Sequence, residues 1–197
     1  KANLVVHESP TLAAIITSLL DRSDNMFTEG VLRAVAYYTG HEATAAAGVQ
    51  VVDSLWRSKG IDTRAVFQRD GSGLARGNKI SGRFFVEMLA YMEKHPVDGV
   101  TLSQLMPPVR KRIGKLIPQT PLAENMVVKS GSMSAVQSFV GYYPAKHPKY
   151  AWALIANNWN GTRADLRNKM DEMLISLFGN TAVSYTHLRA HETREDL

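Results

Sequence analysis

The sequence contains no cysteine. Thiolate metal sites, catalytic thiols and disulfides are therefore excluded, and the composition suits an oxidising compartment without requiring one. Long apolar runs are also missing. None reaches the roughly 18 residues that a membrane helix needs, although hydrophobic residues make up 45 % of the 197 positions, enough for a real core. The opening residues KANLVVHESP lack the apolar stretch and small-residue cleavage site of a secretory leader, and they lack an initiator Met. Further sequence upstream is expected. Acidic residues are in the minority: 18 Asp and Glu stand against 23 Lys and Arg, for a net charge of +5. That balance suits a polyanionic partner such as nucleic acid, anionic lipid or cell wall. The densest basic run, Arg110-Lys111-Arg112 with Lys115, has no interleaved aromatics and fits no nucleic-acid motif. It reads as a solvated helix face, and nucleic acid is not the expected partner.

No internal repeat is present. Leu4-Val5-Val6-His7 reads as a short strand. Ser9-Pro10 looks like an N-cap with proline at the first helical position, and the spacing of Leu12, Ile15, Ile16 and Leu19 predicts a helix over 10–21. Ser23-Asp24-Asn25 follows as a short connection. A second helix is expected over 26–38, with Phe27, Val31, Leu32 and Val35 inward, ending at Gly40. A third is expected over 42–58, with Val49, Val52, Leu55 and Trp56 inward and Gly60 just past its end. Residues 64–68 suit a strand, Asp70-Gly71-Ser72-Gly73 a tight turn, and 81–94 a helix burying Phe84, Phe85, Met88, Leu89 and Met92. The proline-rich stretch 95–126 reads mostly as loop, with a short helix over 109–115.

The period then changes. Residues 126–129, 136–142 and 150–157 read as strands joined by short polar or proline-containing connections, which favours an antiparallel meander. Residues 162–178 form an amphipathic pattern with Leu166, Met170, Met173, Leu174 and Leu177 on one face. Helices first, strands next and a closing helix give an α+β class, with helices packed on an antiparallel sheet. The stretch SYTHLRAHETREDL, 184–197, is polar and loses the earlier periodicity. It resembles a translated sequencing-adapter peptide, so 183–197 is set apart as a non-native-looking tail. His187 and His191 stand four apart, as helix-borne metal ligands can. We read them as part of that tail rather than as a metal site.

Four stretches carry chemistry. They are His7-Glu8-Ser9-Pro10, Ser23-Asp24-Asn25, Asp70-Gly71-Ser72-Gly73-Leu74-Ala75-Arg76-Gly77-Asn78, and Val128-Lys129-Ser130-Gly131-Ser132-Met133. Each alone is weak: Lys-Ser-Gly and Asp-Gly-Ser-Gly recur by chance, and Ser-Asp-Asn is an ordinary capping sequence. In this order they resemble the D-alanyl-D-alanine carboxypeptidase/endopeptidase family, the class C low-molecular-mass penicillin-binding proteins, whose motif set includes S-x-x-K, S-x-N and K-T-G. The sequence departs from that pattern in three ways. Lys-Ser-Gly replaces Lys-Thr-Gly but keeps the hydroxyl. Asp98-Gly99-Val100-Thr101-Leu102 only approximates the family's Gly-Thr-Leu turn. No Ser in the chain has a Lys three positions later, so the S-x-x-K tetrad is missing.

The resemblance implies the transpeptidase fold of penicillin-binding proteins and β-lactamases, truncated at its N-terminus, with residues 1–182 as the C-terminal part of a catalytic domain. It implies acyl transfer through an acyl-enzyme, with no metal or cofactor. Ser23 would relay a proton, Asn25 would hold the substrate carbonyl and orient the catalytic Lys, and Lys129 would face the terminal carboxylate. Ser130 and Ser132 would hydrogen-bond that carboxylate, and Gly131 would let the substrate backbone approach. Asp70 and Arg76 are assigned to structure, with an Asx-type turn and an ion pair. His7 reads as a packed core residue, and Trp152, Trp159, Tyr142 and Tyr143 as sheet packing. The implied partners are peptidoglycan stem peptides and β-lactams. The implied location is extracytoplasmic, with a signal peptide in the missing N-terminal part. The weighed alternatives are a β-lactamase or esterase on the same fold, which the Asp-Gly-Ser-Gly stretch disfavours, a catalytically silent wall-peptide binder, and a nucleic-acid-binding domain supported by charge alone. Without the family's N-terminal strands, the sheet is expected to present an unpaired edge.

Overall fold

The computed structural model describes residues 8–109 and 113–192. Three helices come first, α1 (Leu12–Arg22), α2 (Asn25–Tyr38) and α3 (Ala45–Ser58). Two short strands, β1 (Val66–Phe67) and β2 (Lys79–Ile80), pair antiparallel across the Asp-Gly-Ser-Gly loop. Then come α4 (Gly82–Lys94) and the one-turn helices α5 (Leu102–Leu105) and α6 (Leu122–Asn125). Strands β3 (Val127–Met133), β4 (Val136–Tyr143) and β5 (Tyr150–Asn157) follow, and α7 (Arg163–Glu192) closes the chain. The main sheet is an antiparallel meander in the order β3-β4-β5. This is the α+β arrangement that the change of period implied. Among the described residues no helix is long and apolar enough to cross a membrane.

Each long helix up to α4 starts where a short oxygen-bearing side chain accepts the backbone N–H three residues on: Thr11, Asp24, Thr44 and Ser81 are the caps. Thr11 therefore begins α1, not Ser9, and Pro10 lies outside the helix. Asp24 begins α2, so Ser23 is not its cap. The inward face of α2 also differs from expectation. Gly48 on α3 lies so close to Leu32 that an added Cβ would overlap the Leu32 carbonyl. This contact turns Leu32 and Ala36 inward and leaves Phe27 exposed. Leu55 is likewise exposed.

The sheet packs on both faces because successive strand residues alternate sides. One face carries Val128, Phe139 and Trp152 against Met170, Leu174 and Phe178 of α7. The other carries Val127 and Tyr142 against Leu89 of α4 and Met106. Tyr142 donates its hydroxyl to the Leu89 carbonyl at 2.8 Å, and burial, aided by Glu93, pushes its pKa up. On α7 the inward stripe is half-buried Leu166 with buried Met170, Leu174 and Phe178, four apart, while Met173 and Leu177 are exposed. Helix α7 runs past residue 178 to Glu192, into the stretch read as a tail. The proline-rich segment holds α5, α6 and a 3-10 turn at Ile117–Gln119, none of them anticipated. Residues 113–116 are irregular, not the expected helix. His7, the strand expected over 4–7, the run Arg110-Lys111-Arg112 and the side chains of His187 and His191 lie outside the described residues.

Asp171 of α7 is fully buried. Its carboxylate accepts the backbone N–H groups of Gly114 (3.0 Å), Leu116 (2.9 Å) and Ile117 (3.1 Å), so one side chain docks an irregular segment that has no ladder of its own. Asn168 adds the amide of Lys115 at 3.3 Å. Replacing Asp171 by Asn keeps the shape but turns an NH2 group onto N–H donors. Equilibrium denaturation of Asp171→Asn should show a loss of about 3 kcal/mol.

Candidate active site

Ser23 ends α1 in the left-handed region (φ 54°, ψ 49°), where its own N–H and that of Asp24 both bond the Leu19 carbonyl. Glycine or asparagine usually takes this C-terminal position. A serine there costs roughly 1–3 kcal/mol of backbone strain. Because Asp24 caps α2, with its Oδ1 accepting the Phe27 N–H at 3.0 Å, the Ser23 hydroxyl is not consumed by capping. It accepts instead a hydrogen bond from Lys129 Nζ at 2.7 Å. Asn25, the first residue of α2, lines the same cleft.

Lys129 is the third residue of β3 and shares the sheet face of Val127, toward the first helices. Its Nζ also donates to the carbonyl of Ser130 at 2.7 Å. Strand β3 lies at the end of the sheet order. A strap at Pro107–Val109 covers the start of its outer edge: Val128 N–H donates to the Pro107 carbonyl (3.0 Å) and Val109 N–H to that of Met126 (2.9 Å). Backbone groups two residues apart in a strand point the same way. Ser130 and Ser132 therefore present their N–H and C=O groups on the outer side, beyond the strap, where no strand pairs with them among the described residues. Ser130, Gly131 and Ser132 line the cleft, which encloses about 860 Å³.

The loop over 70–78 forms the opposite wall. The Asp70 carboxylate accepts the backbone N–H groups of Gly73 (3.0 Å) and Ala75 (2.7 Å) and the Asn78 amide (2.7 Å). Glu29, one turn beyond Asn25 on α2, accepts the N–H groups of both Gly71 and Ser72 at 2.9 Å. Gly71 is packed so closely on α2 that an added Cβ would lie 2.9 Å from the Thr28 carbonyl oxygen. Arg76 is exposed on the cleft wall and forms no ion pair among the described residues, contrary to expectation. Tyr142, Tyr143 and Trp152 are buried in the sheet packing, and Trp159 is half-buried beneath the Arg163 guanidinium. Sequence reasoning overlooked Glu29. The signal for it was its i, i+4 spacing from Asn25, which puts both on one helical face.

Burial alone would raise the Asp70 pKa, but the hydrogen bonds from Asn78, Ala75, Gly73 and Ser72 outweigh it and hold the carboxyl below its usual value. A depressed folded-state pKa means that the stabilisation is complete above the unfolded Asp value, about 3.9, and is lost as pH falls through the folded one. Hydrogen exchange should show the Gly73 and Ala75 amides protected at neutral pH and losing protection in acid. Asp70→Ala should leave them unprotected throughout. Full protection of these amides in Asp70→Ala would remove Asp70 from the account.

The sequence model of the D-Ala-D-Ala carboxypeptidase 3 (S13) family matches residues 1–177. The D-alanyl-D-alanine carboxypeptidase DacB of Haemophilus influenzae is 28 % identical over 84 % of this chain and 35 % of its own length. The D-alanyl-D-alanine carboxypeptidase of an Actinomadura species is 27 % identical over 80 % of this chain and 30 % of its own length. The chain thus spans about a third of the curated relatives it matches. The crystal structure of penicillin binding protein 4 from Haemophilus influenzae superposes with a TM-score of 0.68 at 27 % identity, covering 81 % of this chain and 39 % of that one. Its complex with a β-lactam superposes equally well, at a TM-score of 0.68 and 25 % identity, over 81 % of this chain and 41 % of that one. A predatory endopeptidase of Bdellovibrio bacteriovorus shares the fold at 16 % identity, with a TM-score of 0.61 over 84 % of this chain and 45 % of that one. Since the family model matches residues 1–177 of the 197, this chain belongs to the D-Ala-D-Ala carboxypeptidase 3 (S13) family.

Proposed function

We propose that residues 1–182 are the C-terminal part of the catalytic domain of a serine-type D-alanyl-D-alanine carboxypeptidase/endopeptidase. It would act outside the cytoplasm on peptidoglycan stem peptides and be acylated by β-lactams. The observation that carries this reading is the 2.7 Å contact from Lys129 Nζ to Ser23 Oγ, in a cleft also lined by Asn25 and the Ser130-Gly131-Ser132 edge. No Ser-x-x-Lys occurs in the chain. The nucleophile and its base are therefore assigned to a segment outside it, consistent with the third of the relatives' length that it spans.

In the proposed reaction the Ser hydroxyl of that segment attacks the D-Ala-D-Ala amide carbonyl, and its proton passes to the neighbouring Lys amine. The C–N bond then breaks, and the leaving nitrogen takes up a proton to depart as free D-Ala. Ser23 would deliver it and take in exchange the proton held by that Lys. The Lys129 ammonium occupies a lone pair of the Ser23 oxygen, so the hydroxyl's own proton points elsewhere and is easier to release. Water then attacks the ester and restores the Ser. Asn25 would donate its side-chain amide to the substrate carbonyl. The terminal carboxylate would meet the charge of Lys129 and the hydroxyls of Ser130 and Ser132, with Gly131 clearing room for the peptide backbone. The outward N–H of Ser132 would be one oxyanion donor, an interaction worth ~2.7–4 kcal/mol in the transition state. The amide of the nucleophilic Ser would be the other.

A second reading rests on the same absent tetrad: taken alone, this polypeptide binds wall peptides without turning them over. Two measurements separate the possibilities. Fluorescent penicillin should leave no covalent label on the chain as it stands, and a labelled residue within it would overturn the placement of the nucleophile elsewhere. In the protein that joins this chain to a Ser-x-x-Lys segment, Lys129→Ala should slow acylation by D-Ala-D-Ala peptides on the order of 100-fold. An unchanged rate would take Lys129 out of the site.

A further inference from the structure

Gln137 of β4 is fully buried, on the sheet face that packs against α7. A buried amide must be satisfied at both ends, and this one is. Its Oε1 accepts Arg167 Nε at 3.2 Å, and its Nε2 donates to the carbonyl of Gly131 at 3.1 Å. The Ser138 hydroxyl donates to the same carbonyl at 3.3 Å. Residues 137 and 138 lie on opposite faces of the sheet, so the Gly131 oxygen is gripped from both sides.

The Gly131 carbonyl belongs to the same peptide plane as the N–H of Ser132. The plane is rigid and trans, so C=O and N–H point in opposite directions. Holding the Gly131 oxygen toward β4 therefore aims the Ser132 N–H away from β4, at the open outer edge of the strand. The hinge is soft on one side, because glycine rotates freely where other residues cannot. A side chain at 131 is no remedy, since an added Cβ would come within 2.8 Å of the Ser138 hydroxyl. A glycine here keeps the strand open to a substrate, and its carbonyl, facing β4 where Gly131 pairs with Ser138, is held further by the two side chains.

From these contacts we propose that Gln137, itself held by Arg167, is a positioning residue that fixes the aim of the Ser132 N–H. This inference rests on the oxyanion role given to that N–H in the proposed function. Gln137 touches no substrate. It acts through one peptide plane, so its loss is felt where negative charge develops on the substrate oxygen rather than where the substrate is held. Helix α7, which also covers the sheet and docks residues 114–117, thereby takes part in setting the site.

The test uses Gln137→Met and Gln137→Glu in the protein that joins this chain to a Ser-x-x-Lys segment. Methionine matches the unbranched shape without a donor. Glutamate keeps the Arg167 partner but presents an acceptor to the Gly131 carbonyl, so it decides the matter if the methionine variant misfolds. Both should lower kcat for a D-Ala-D-Ala peptide roughly 100-fold, with KM within about twofold, when assayed at a temperature where each variant is fully folded. Unchanged kcat, or a fall in kcat that tracks loss of melting temperature and a rise in KM, would overturn the proposal. Lys129→Ala in the same assay tells the two readings apart. If it too is silent, the function assigned to the cleft fails. If it is crippled while both Gln137 variants are normal, only the positioning role fails.

Discussion

One hydrogen bond joins the two halves of this molecule at the cleft: Lys129 on the sheet reaches Ser23 at the corner between α1 and α2. Everything near it is arranged so that this contact is available. The corner is only two residues long, and it divides the labour between them. Asp24 caps the second helix, and Ser23 takes the left-handed turn that ends the first. Had Ser23 been the cap, its oxygen would be occupied by a backbone N–H and turned away from the sheet. On the other side, the Pro107–Val109 strap stops short of Ser130, so the strand carrying Lys129 is covered at its start and open beyond.

Helix α2 serves the cleft twice within one turn. Asn25 stands at its first position, and Glu29 collects two amides of the facing loop. The wall and the corner are thus fixed to the same rigid element. The wall itself is stiffened by a carboxylate, Asp70, that is saturated with donors. Polar side chains do here what a ladder of backbone bonds does elsewhere, because the loop has only two-residue strands at its ends.

The elements with clear periodicity were legible in the sequence. Strand β5 spans Tyr150–Asn157 as its alternation and flanking polar residues required, and α4 buries Phe84 and Leu89 as its spacing required. The misses share physical causes. Phe27 is exposed because the inward face of α2 is set by where Gly48 lets α3 approach, which no local pattern encodes. Met173 and Leu177 sit beside a stripe spaced strictly by four, and hydrophobicity alone could not choose between the two. The one-turn helices α5 and α6 are too short to have a period. Of the cleft, the motif order drew attention to Ser23, Asn25 and the Lys129–Ser132 stretch, and the geometry brings Ser23 and Lys129 into contact. Glu29, Gln137 and Asp171 were overlooked for one reason. Each is a lone polar residue in an amphipathic element, and its importance comes from the backbone groups it meets from a distant segment.

The left-handed serine at 23 has a consequence for how this position can vary. Glycine would relax the turn, and asparagine tolerates it better than serine does. Neither offers a hydroxyl to the ammonium. A relaxed turn and a hydroxyl for Lys129 therefore make opposite demands on this residue. A screen for heat tolerance alone would drift toward the glycine that removes the hydroxyl contact with Lys129.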